Sequence, residues 1–417
     1  MGTLLINTPY LASEFPQIPM GLAYIAGVLE KEGIEVQVRD FLVEEYCQKK
    51  LARKIADFSP EIVGATSVTM NYPIASQILK DTKEIDGNII TVIGGPHVSF
   101  TVEETLGESP WIDVVVRGEG EYTMLELARG KALKEINGIA YRQNDTIIQT
   151  PPRQWIEDLD KLPFPARHLF PLSKYFAINS KGGILTSRGC PFNCIFCVGH
   201  RMVGRKVRFR RPKLVIDEIE NTLSQGFGGI NIVDDLFTLN HKHVYATCDE
   251  IKSRHLKFNW ACFSRVDTVN PELLAQMKEA GCDFLCYGVE SADQHILDTI
   301  KKKITPQQVR EAVRLAKEVG IEVLASFILG LPGETEETLT ATLNFAEELQ
   351  TPCALHVLAL FPGTELWNRA KEFGIRILTD DWSRYNANEA ITETEGVTQE
   401  RLNQVMKEYY DASPPSA

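Results

Sequence analysis

Three of the nine cysteines fall within eight residues, in Ser187-Arg188-Gly189-Cys190-Pro191-Phe192-Asn193-Cys194-Ile195-Phe196-Cys197. The spacing is C-x3-C-x2-C. Thiolates are soft donors that suit iron–sulfur clusters and zinc. Three on one tight loop can hold three irons of a cubane and leave the fourth without a protein ligand, open to a substrate or cofactor. His200 follows three residues after Cys197, so a Cys3His zinc knuckle is the alternative chemistry of the same segment. The other cysteines are not grouped closely enough for a second cluster, and Cys262, Cys282 and Cys286 read as core residues. An odd cysteine count in a long chain with no basic leader argues against a disulfide framework.

Something must hold those thiolates in place, and the pattern around them is alternation of strands and helices. From Gly182 the strands are GILTSR, GINIVDD, FNWACFSRV, FLCYGVES, EVLASFILG and ALHVLAL. Helices such as KLVIDEIENTLSQ, PELLAQMKEAG and TPQQVREAVRLAKEVG lie between them. Six β-α units predict a partial (β/α)6 TIM-type barrel, with its chemistry at the C-terminal ends of the strands. The cysteine loop follows the first strand. Asp234-Asp235 ends the second, Arg265 the third and Glu290-Ser291 the fourth; Gly330-Leu331-Pro332-Gly333-Glu334-Thr335 follows the fifth. Taken singly, each reads as readily as an ion pair or a helix cap, Glu334-Thr335 above all.

The first third has the same rhythm with shorter units. TLLINTPY, EVQVRDF, EIVGATSV, NIITVIGG and DVVVRGEGE read as strands, and MGLAYIAGVLEKEG, PIASQILKDTKEI and YTMLELARG as helices. This predicts an α/β, Rossmann-like doubly wound parallel sheet. INGIAYRQNDTIIQT closes it as a hairpin with Asn144-Asp145 at the turn. Pro151, Pro152, Pro163, Pro165 and Pro171 break regular structure after that. The expected organisation is a domain over 1–148, a proline-rich linker crossing between domains over 149–180, the barrel over 181–378 and a short C-terminal segment over 379–417. The closing SPPSA is expected to be disordered.

The motif C-x3-C-x-aromatic-C resembles the radical S-adenosylmethionine superfamily. The resemblance implies that Cys190, Cys194 and Cys197 hold a [4Fe–4S] cluster. Its open iron would chelate the amino and carboxylate groups of S-adenosylmethionine, which one electron cleaves to a 5′-deoxyadenosyl radical. It also implies roles at the strand ends. Asp234 and Asp235 would lie near the cofactor's amino group. Arg265 would face its carboxylate, which a guanidinium fork fits bidentately. Glu290, beside Ser291, would accept both ribose hydroxyls. Gly330 and Pro332 would line the adenine, with Phe196 flanking it.

Residues 1–148 resemble the cobalamin-binding half of the cobalamin-dependent radical enzymes. Pro19-Met20-Gly21-Leu22 opens the first helix, and the stretch from Ser67 through Met70 to Tyr72 follows the third strand. Gly94-Gly95-Pro96-His97 follows the fourth strand and Gly118-Glu119-Gly120-Glu121 the fifth. The resemblance makes Pro19, Gly21, Ser67, Met70, Gly94, Gly95, Gly118, Glu119 and Gly120 cobalamin contacts, the glycines letting a bulky corrin approach the backbone. One departure stands out. Classical cobalamin domains carry Asp-x-His-x-x-Gly, and His97, the one histidine before residue 150, does not match it. Either cobalamin binds without a protein histidine while His97 packs on the sheet, or the domain has lost the cofactor.

The net charge of −12, from 44 basic and 56 acidic side chains, argues against a nucleic-acid backbone or an anionic membrane as main partner. No stretch approaches the ~18 apolar residues of a membrane helix, and the chain is expected to be cytoplasmic. The leading expectation is methylation of an unactivated carbon of a small-molecule or peptide substrate, with a one-electron reductant such as flavodoxin or ferredoxin. A cyclase, ring-contraction or carbon–carbon bond-forming enzyme without methyl transfer is the alternative. A cobalamin-responsive binding protein is a third, different class, and the intact cysteine triad counts against it. The aromatic residues Trp382, Tyr385, Tyr409 and Tyr410 are expected to pack on the barrel.

Overall fold

The computed structural model describes residues 1–10 and 16–412; the closing SPPSA lies outside the described residues. The chain divides into two compact units. One is Met1–Gly183 with Arg201–Val203 and Ser224–Phe227; the other is Ile184–His200, Gly204–Leu223 and Gly228–Ala417.

The first unit is built on strands β1 (Thr3–Asn7), β2 (Val36–Asp40), β3 (Ile62–Thr66), β4 (Ile90–Gly94), β5 (Val114–Val116), β6 (Ile139–Gln143) and β7 (Thr146–Gln149), in sheet order β2-β1-β3-β4-β5-β6-β7. The first five are parallel, and the hairpin β6–β7 adds two antiparallel strands at one edge. Helices α1 (Met20–Lys31), α2 (Gln48–Phe58), α3 (Tyr72–Ile85), α4 (Val102–Glu108) and α5 (Glu121–Ala128) connect the strands. Strand β1 is buried throughout, as a parallel strand covered on both faces must be. The hairpin turns through Asn144 and Asp145, both at positive φ, which suits Asn and Asp. The order 2-1-3-4-5 reverses direction between β1 and β3, and ligands bind such sheets outside the carboxyl ends of the strands at that point.

Residues 149–180 hold more structure than the five prolines suggest. They include a helix, α6 (Leu172–Ala177), which Pro171 starts rather than breaks. They are also fastened along the first unit. Ala166 N donates to Ala23 O, Ile156 N donates to Glu119 Oε2, and the buried Tyr175 hydroxyl donates to Asp40 Oδ2 at 2.6 Å.

The second unit starts at the last residue of β8 (Gly182–Ile184), and this strand with β11 (Gly229–Ile232), β12 (Asn259–Ser264), β13 (Cys282–Glu290), β14 (Glu322–Leu329) and β15 (Cys353–Val357) makes a six-stranded sheet in order β15-β14-β13-β12-β11-β8. The expected single strand GILTSR is two. After β8 the chain kinks, and β9 (Ser187–Arg188) pairs antiparallel with β10 (Arg208–Phe209) instead. Between the strands run α7 (Gly199–Val203), α8 (Pro212–Ser224), α9 (His241–Ser253), α10 (Pro271–Glu279), α11 (Gln294–Thr299), α12 (Pro306–Glu318) and α13 (Glu336–Glu348). Their starts follow local rules. Asn270 caps α10 ahead of Pro271, and Thr305 caps α12 in a capping box with Gln308 ahead of Pro306. Along β12 to β15 nearly every second residue enters one apolar core with these helices, among them Trp260, Cys262, Leu285, Tyr287, Val323, Phe327 and Leu355.

The C-terminal segment contains α14 (Glu365–Asn368), the hairpin β16 (Arg376–Ile377) with β17 (Thr392–Glu393), and α15 (Gln399–Ala412). Helix α15 covers the edge strand β15. Tyr409 and Tyr410 donate their hydroxyls to the carbonyls of Cys353 and Leu355, which an uncovered edge would leave to solvent. Trp367, Trp382 and Tyr385 pack ring against ring. Among the described residues no helix is long and apolar enough to cross a membrane.

Candidate cofactor sites at the strand ends

The cysteine loop leaves β9 and is anchored at both ends. Cys190 N donates to Gly204 O, and Ile195 N donates to Ile300 O. Cys194 is buried, Cys190 half-buried and Cys197 exposed. All three lie on one eight-residue stretch of the loop. Among the described residues no three Cys, His, Asp or Glu side chains meet where one metal ion could sit. A cubane gives each cysteine its own iron, so its three thiols stand apart. Burial raises the proton affinity of Cys190 and Cys194, and iron must displace those protons to bind.

Asp234 and Asp235, adjacent in sequence, part company. Asp234 is 1 % exposed, and its carboxylate accepts from Thr186 N at 2.6 Å, Thr186 Oγ1 at 2.5 Å and Ser187 Oγ at 2.6 Å. Here its lone pairs serve the kink between β8 and β9. Burial nevertheless pushes it up to about 6. The buried His243 extends the network, with Nε2 3.1 Å from Thr186 Oγ1. Asp235 faces the loop instead. Its Oδ2 accepts from Gly189 N at 3.3 Å, and its Oδ1 and the Cys197 sulfur both border Gly199.

Arg265 is bonded within the barrel unit. Its Nε and Nη2 make a bidentate pair with Asp267 at 2.8 Å each, and Nη2 donates to Lys302 O at 2.7 Å. The guanidinium lies 3.7 Å from the ring centre of Phe192, between Cys190 and Cys194, and supports the loop.

Glu290 ends β13 with φ +71 at a register irregularity and is 6 % exposed. Its Oε1 accepts from Lys302 Nζ at 2.5 Å, and Oε2 has no protein partner among the described residues. Ser291, expected beside it at the ribose, is fully buried, and its Oγ accepts from Asp293 N at 3.1 Å as part of the turn into α11. Gly330 and Pro332 are buried too. A side chain on Gly330 would meet Leu402, and its N–H donates to Glu334, so these residues shape the loop from beneath. Glu334 is 1 % exposed with Oε1 unpartnered, and burial pushes it up to about 7. Thr335 caps α13, the bland reading of Glu334-Thr335. Phe196 is half-buried against the barrel core.

In the first unit the residues expected to touch cobalamin do collect at the carboxyl ends of β3, β4 and β5, but several serve the chain itself. Gly95 has φ +110, and a Cβ there would lie 2.2 Å from Ser67 O, so the approach of Ser67 already requires a glycine. Ser67 is fully buried, with its N–H on Gly94 O. Glu119 holds Ile156 N, Gly120 packs on Ile25, and Gly118 lies against Trp155. Gly94 abuts Val116, and Pro19 caps α1, its carbonyl accepting from Ala23 N. What stays open is Gly21, with nothing within 4 Å of a Cβ placed on it, and the turn after β3, where Val68 is 37 % exposed and Met70 half-buried. His97 is 1 % exposed, stacks on Tyr72 at 4.5 Å, and is pulled down to about 4 by burial. Among the described residues, an apolar pair and a bare glycine face outward at this switch point, which fits a large planar ligand.

The model of the radical SAM superfamily matches residues 184–346, and that of the B12 binding domain residues 10–128. An uncharacterized methyltransferase of Pyrococcus horikoshii is 39% identical over 399 residues, spanning 94% of this chain and 86% of that protein. The chain belongs to the radical S-adenosylmethionine enzymes that carry a B12-binding domain. Its cofactors are those of the family: a [4Fe–4S] cluster and S-adenosylmethionine for the barrel, cobalamin for the N-terminal unit. The anaerobic magnesium-protoporphyrin IX monomethyl ester cyclase of Rubrivivax gelatinosus is 34% identical, across 96% of this chain and 74% of its own length. The radical S-adenosylmethionine methyltransferase TsrM of Kitasatospora setae, solved with cobalamin and a [4Fe–4S] cluster, shares the fold: TM-score 0.78 at 24% identity, over 91% of this chain and 81% of that one.

Lys302 and Val68 are the site neighbours that sequence reasoning missed. Lys302 sits in a run of three lysines that reads as a solvated face. Val68 differs from its buried neighbours only in exposure, which no motif records.

Proposed function

We propose that this chain is a C-methyltransferase acting on an unactivated carbon of a small-molecule or peptide substrate, with electrons from a flavodoxin or ferredoxin. The observation that carries the proposal is the pairing of both cofactor units in one chain with a methyltransferase relative that spans 94% of it. When bound, the cofactors supply a 5′-deoxyadenosyl radical that takes a substrate hydrogen and a methyl group carried on cobalamin. The protein's part is to bind and orient. Cys190, Cys194 and Cys197 hold the cluster. Asp235, beside the loop, accepts from the amino group of S-adenosylmethionine, and Glu290 offers Oε2 to the ribose. Phe196 flanks the adenine. Gly21, Val68 and Met70 would lie against the corrin.

The cyclase relative favours a second reading, radical chemistry without methyl transfer. Products separate the two. Under strong reductant, protein loaded with all three cofactors releases S-adenosylhomocysteine as well as 5′-deoxyadenosine if it transfers methyl groups. Release of 5′-deoxyadenosine alone, with cobalamin bound, favours the cyclase-type reading.

A further inference from the structure

In a closed barrel the inward side chains of the strands fill the interior in layers. The six-stranded sheet of the second unit does not do this. One of its faces packs on the helices through Trp260 and Cys262 of β12, Leu285 of β13 and Val323 of β14. The residues that alternate with them point to the other face. Phe263 there is 47 % exposed, although β12 is an interior strand and its neighbours Cys262 and Ser264 are buried. Its register partner Cys286, and Leu324 opposite Cys286, are half-buried, as are Phe284 and Ser326. Single exposed apolar residues are ordinary on an outer surface. A row of them across the middle of a sheet, with a phenylalanine half in water, is a surface made for something apolar.

This face runs up to the residues of the cofactor site. Two residues beyond Phe263 on the same side, Arg265 stacks on Phe192 of the cysteine loop at 3.7 Å. Gly288 follows Cys286 on the same side, and a Cβ there would lie 2.6 Å from Glu290 Oε1, so the Glu290 carboxylate reaches over it. Below that charged rim the face presents Ala261, Phe263, Phe284, Cys286, Leu324 and Ser326, with no carboxylate, ammonium or guanidinium among them. A charged group laid there would give up its hydration and find no counter-charge. An apolar ring would gain by leaving water and could stack on Phe263.

We propose that Phe263 and Leu324 are specificity-determining residues of the substrate site, and that the part of the substrate seated on them is an uncharged, ring-bearing apolar group of a small molecule. This rests on the reading that the barrel acts on a substrate carbon. The test is equilibrium dialysis of the full chain, loaded with cluster, S-adenosylmethionine and cobalamin, against three probes: neutral 2-naphthol, anionic 2-naphthoate and a lysine-rich pentapeptide. The variants are Phe263→Asp, Phe263→Leu, Leu324→Asp and, as a control for general adsorption, Ile178→Asp, which alters another exposed apolar residue, 49 % exposed, in the first unit. Iron content and melting temperature are checked in each. The parent is expected to bind 2-naphthol about tenfold or more tightly than 2-naphthoate or the peptide, and Phe263→Asp and Leu324→Asp each to weaken 2-naphthol about tenfold or more. Phe263→Leu, which keeps an apolar side chain, and Ile178→Asp should stay within a few-fold of the parent. No binding of 2-naphthol by the parent, parental binding in both Asp variants, or an equal loss in Ile178→Asp overturns the inference. So does 2-naphthoate or the peptide bound as tightly as 2-naphthol. If Phe263→Asp takes up no iron, Leu324→Asp decides alone by the same criterion. The methyl-transfer reading is scored apart from this, by S-adenosylhomocysteine released from the parent; a failure there leaves the binding result standing.

Discussion

Replacing Asp234 by Asn separates a scaffold carboxylate from a cofactor ligand. Asp234 accepts from two hydroxyls that can rotate, from Thr186 N and from the Ser187 backbone. Asn keeps an acceptor for the backbone N–H groups and can donate to the hydroxyls, so the kink between β8 and β9 survives. Burial raises the carboxyl to about 6, against an ordinary value near ~3.9, so the ionised form costs about 3 kcal/mol at pH 7. The folded state therefore holds the proton more tightly. Stability from this group rises as pH falls from 6 toward 4 and is flat above. Asn removes that dependence and offsets weaker neutral hydrogen bonds with the relieved charge, leaving Asp234→Asn within about 1–2 kcal/mol of the parent at pH 7. Asp234→Ala instead strands these buried donors at about 1–3 kcal/mol each and unfolds earlier. Melting curves of the reduced apoprotein at pH 5 and 7 read the stabilities, and equilibrium binding to the cluster-loaded protein reads the cofactor. Asp234→Asn should bind S-adenosylmethionine as the parent does. A tenfold loss of affinity with iron content intact would return Asp234 to the cofactor's amino group.

Two further outcomes follow from buried titrating groups. Glu334, raised to about 7 with one oxygen unpartnered, makes the fold less stable as pH climbs from about 4.5 to 7; Glu334→Gln should flatten that slope in melting curves, and an unchanged slope refutes the assignment. His97 is stacked on Tyr72 and stays neutral down to about pH 4. The electron-spin spectrum of bound Co(II) should lack nitrogen splitting from the lower face and be the same in His97→Ala; splitting that vanishes in the variant would make His97 the cobalt ligand.

The cysteine triad was legible because three thiols within eight residues have few structural uses, and the strands because parallel strands buried on both faces are nearly continuous apolar runs. Helix α2 escaped notice: of its eleven residues only Leu51 and Ile55 are buried, too thin a stripe for periodicity to register. The site residues around the triad were legible in place, at the ends of successive strands. Asp234 and Asp235 look alike in sequence, and only the kink that turns Thr186 and Ser187 toward one of them tells them apart. The pairing of Arg265 with Asp267, two residues on, is one that no helix or strand period suggests. The glycines at the ends of β4 and β5 looked like a cradle, yet Gly95 is set by its approach to Ser67. Lys302 was hidden because backbone at positive φ on either side of it leaves no trace in residue type.

The most direct test of the central claim is 5′-deoxyadenosine formed by cluster-loaded protein under strong reductant, parent against a chain with Cys190, Cys194 and Cys197 all changed to Ala. The parent should hold about four irons in its cluster and make 5′-deoxyadenosine. The triple variant should hold no cluster and make none; a triple variant that still cleaves S-adenosylmethionine to 5′-deoxyadenosine would contradict the account.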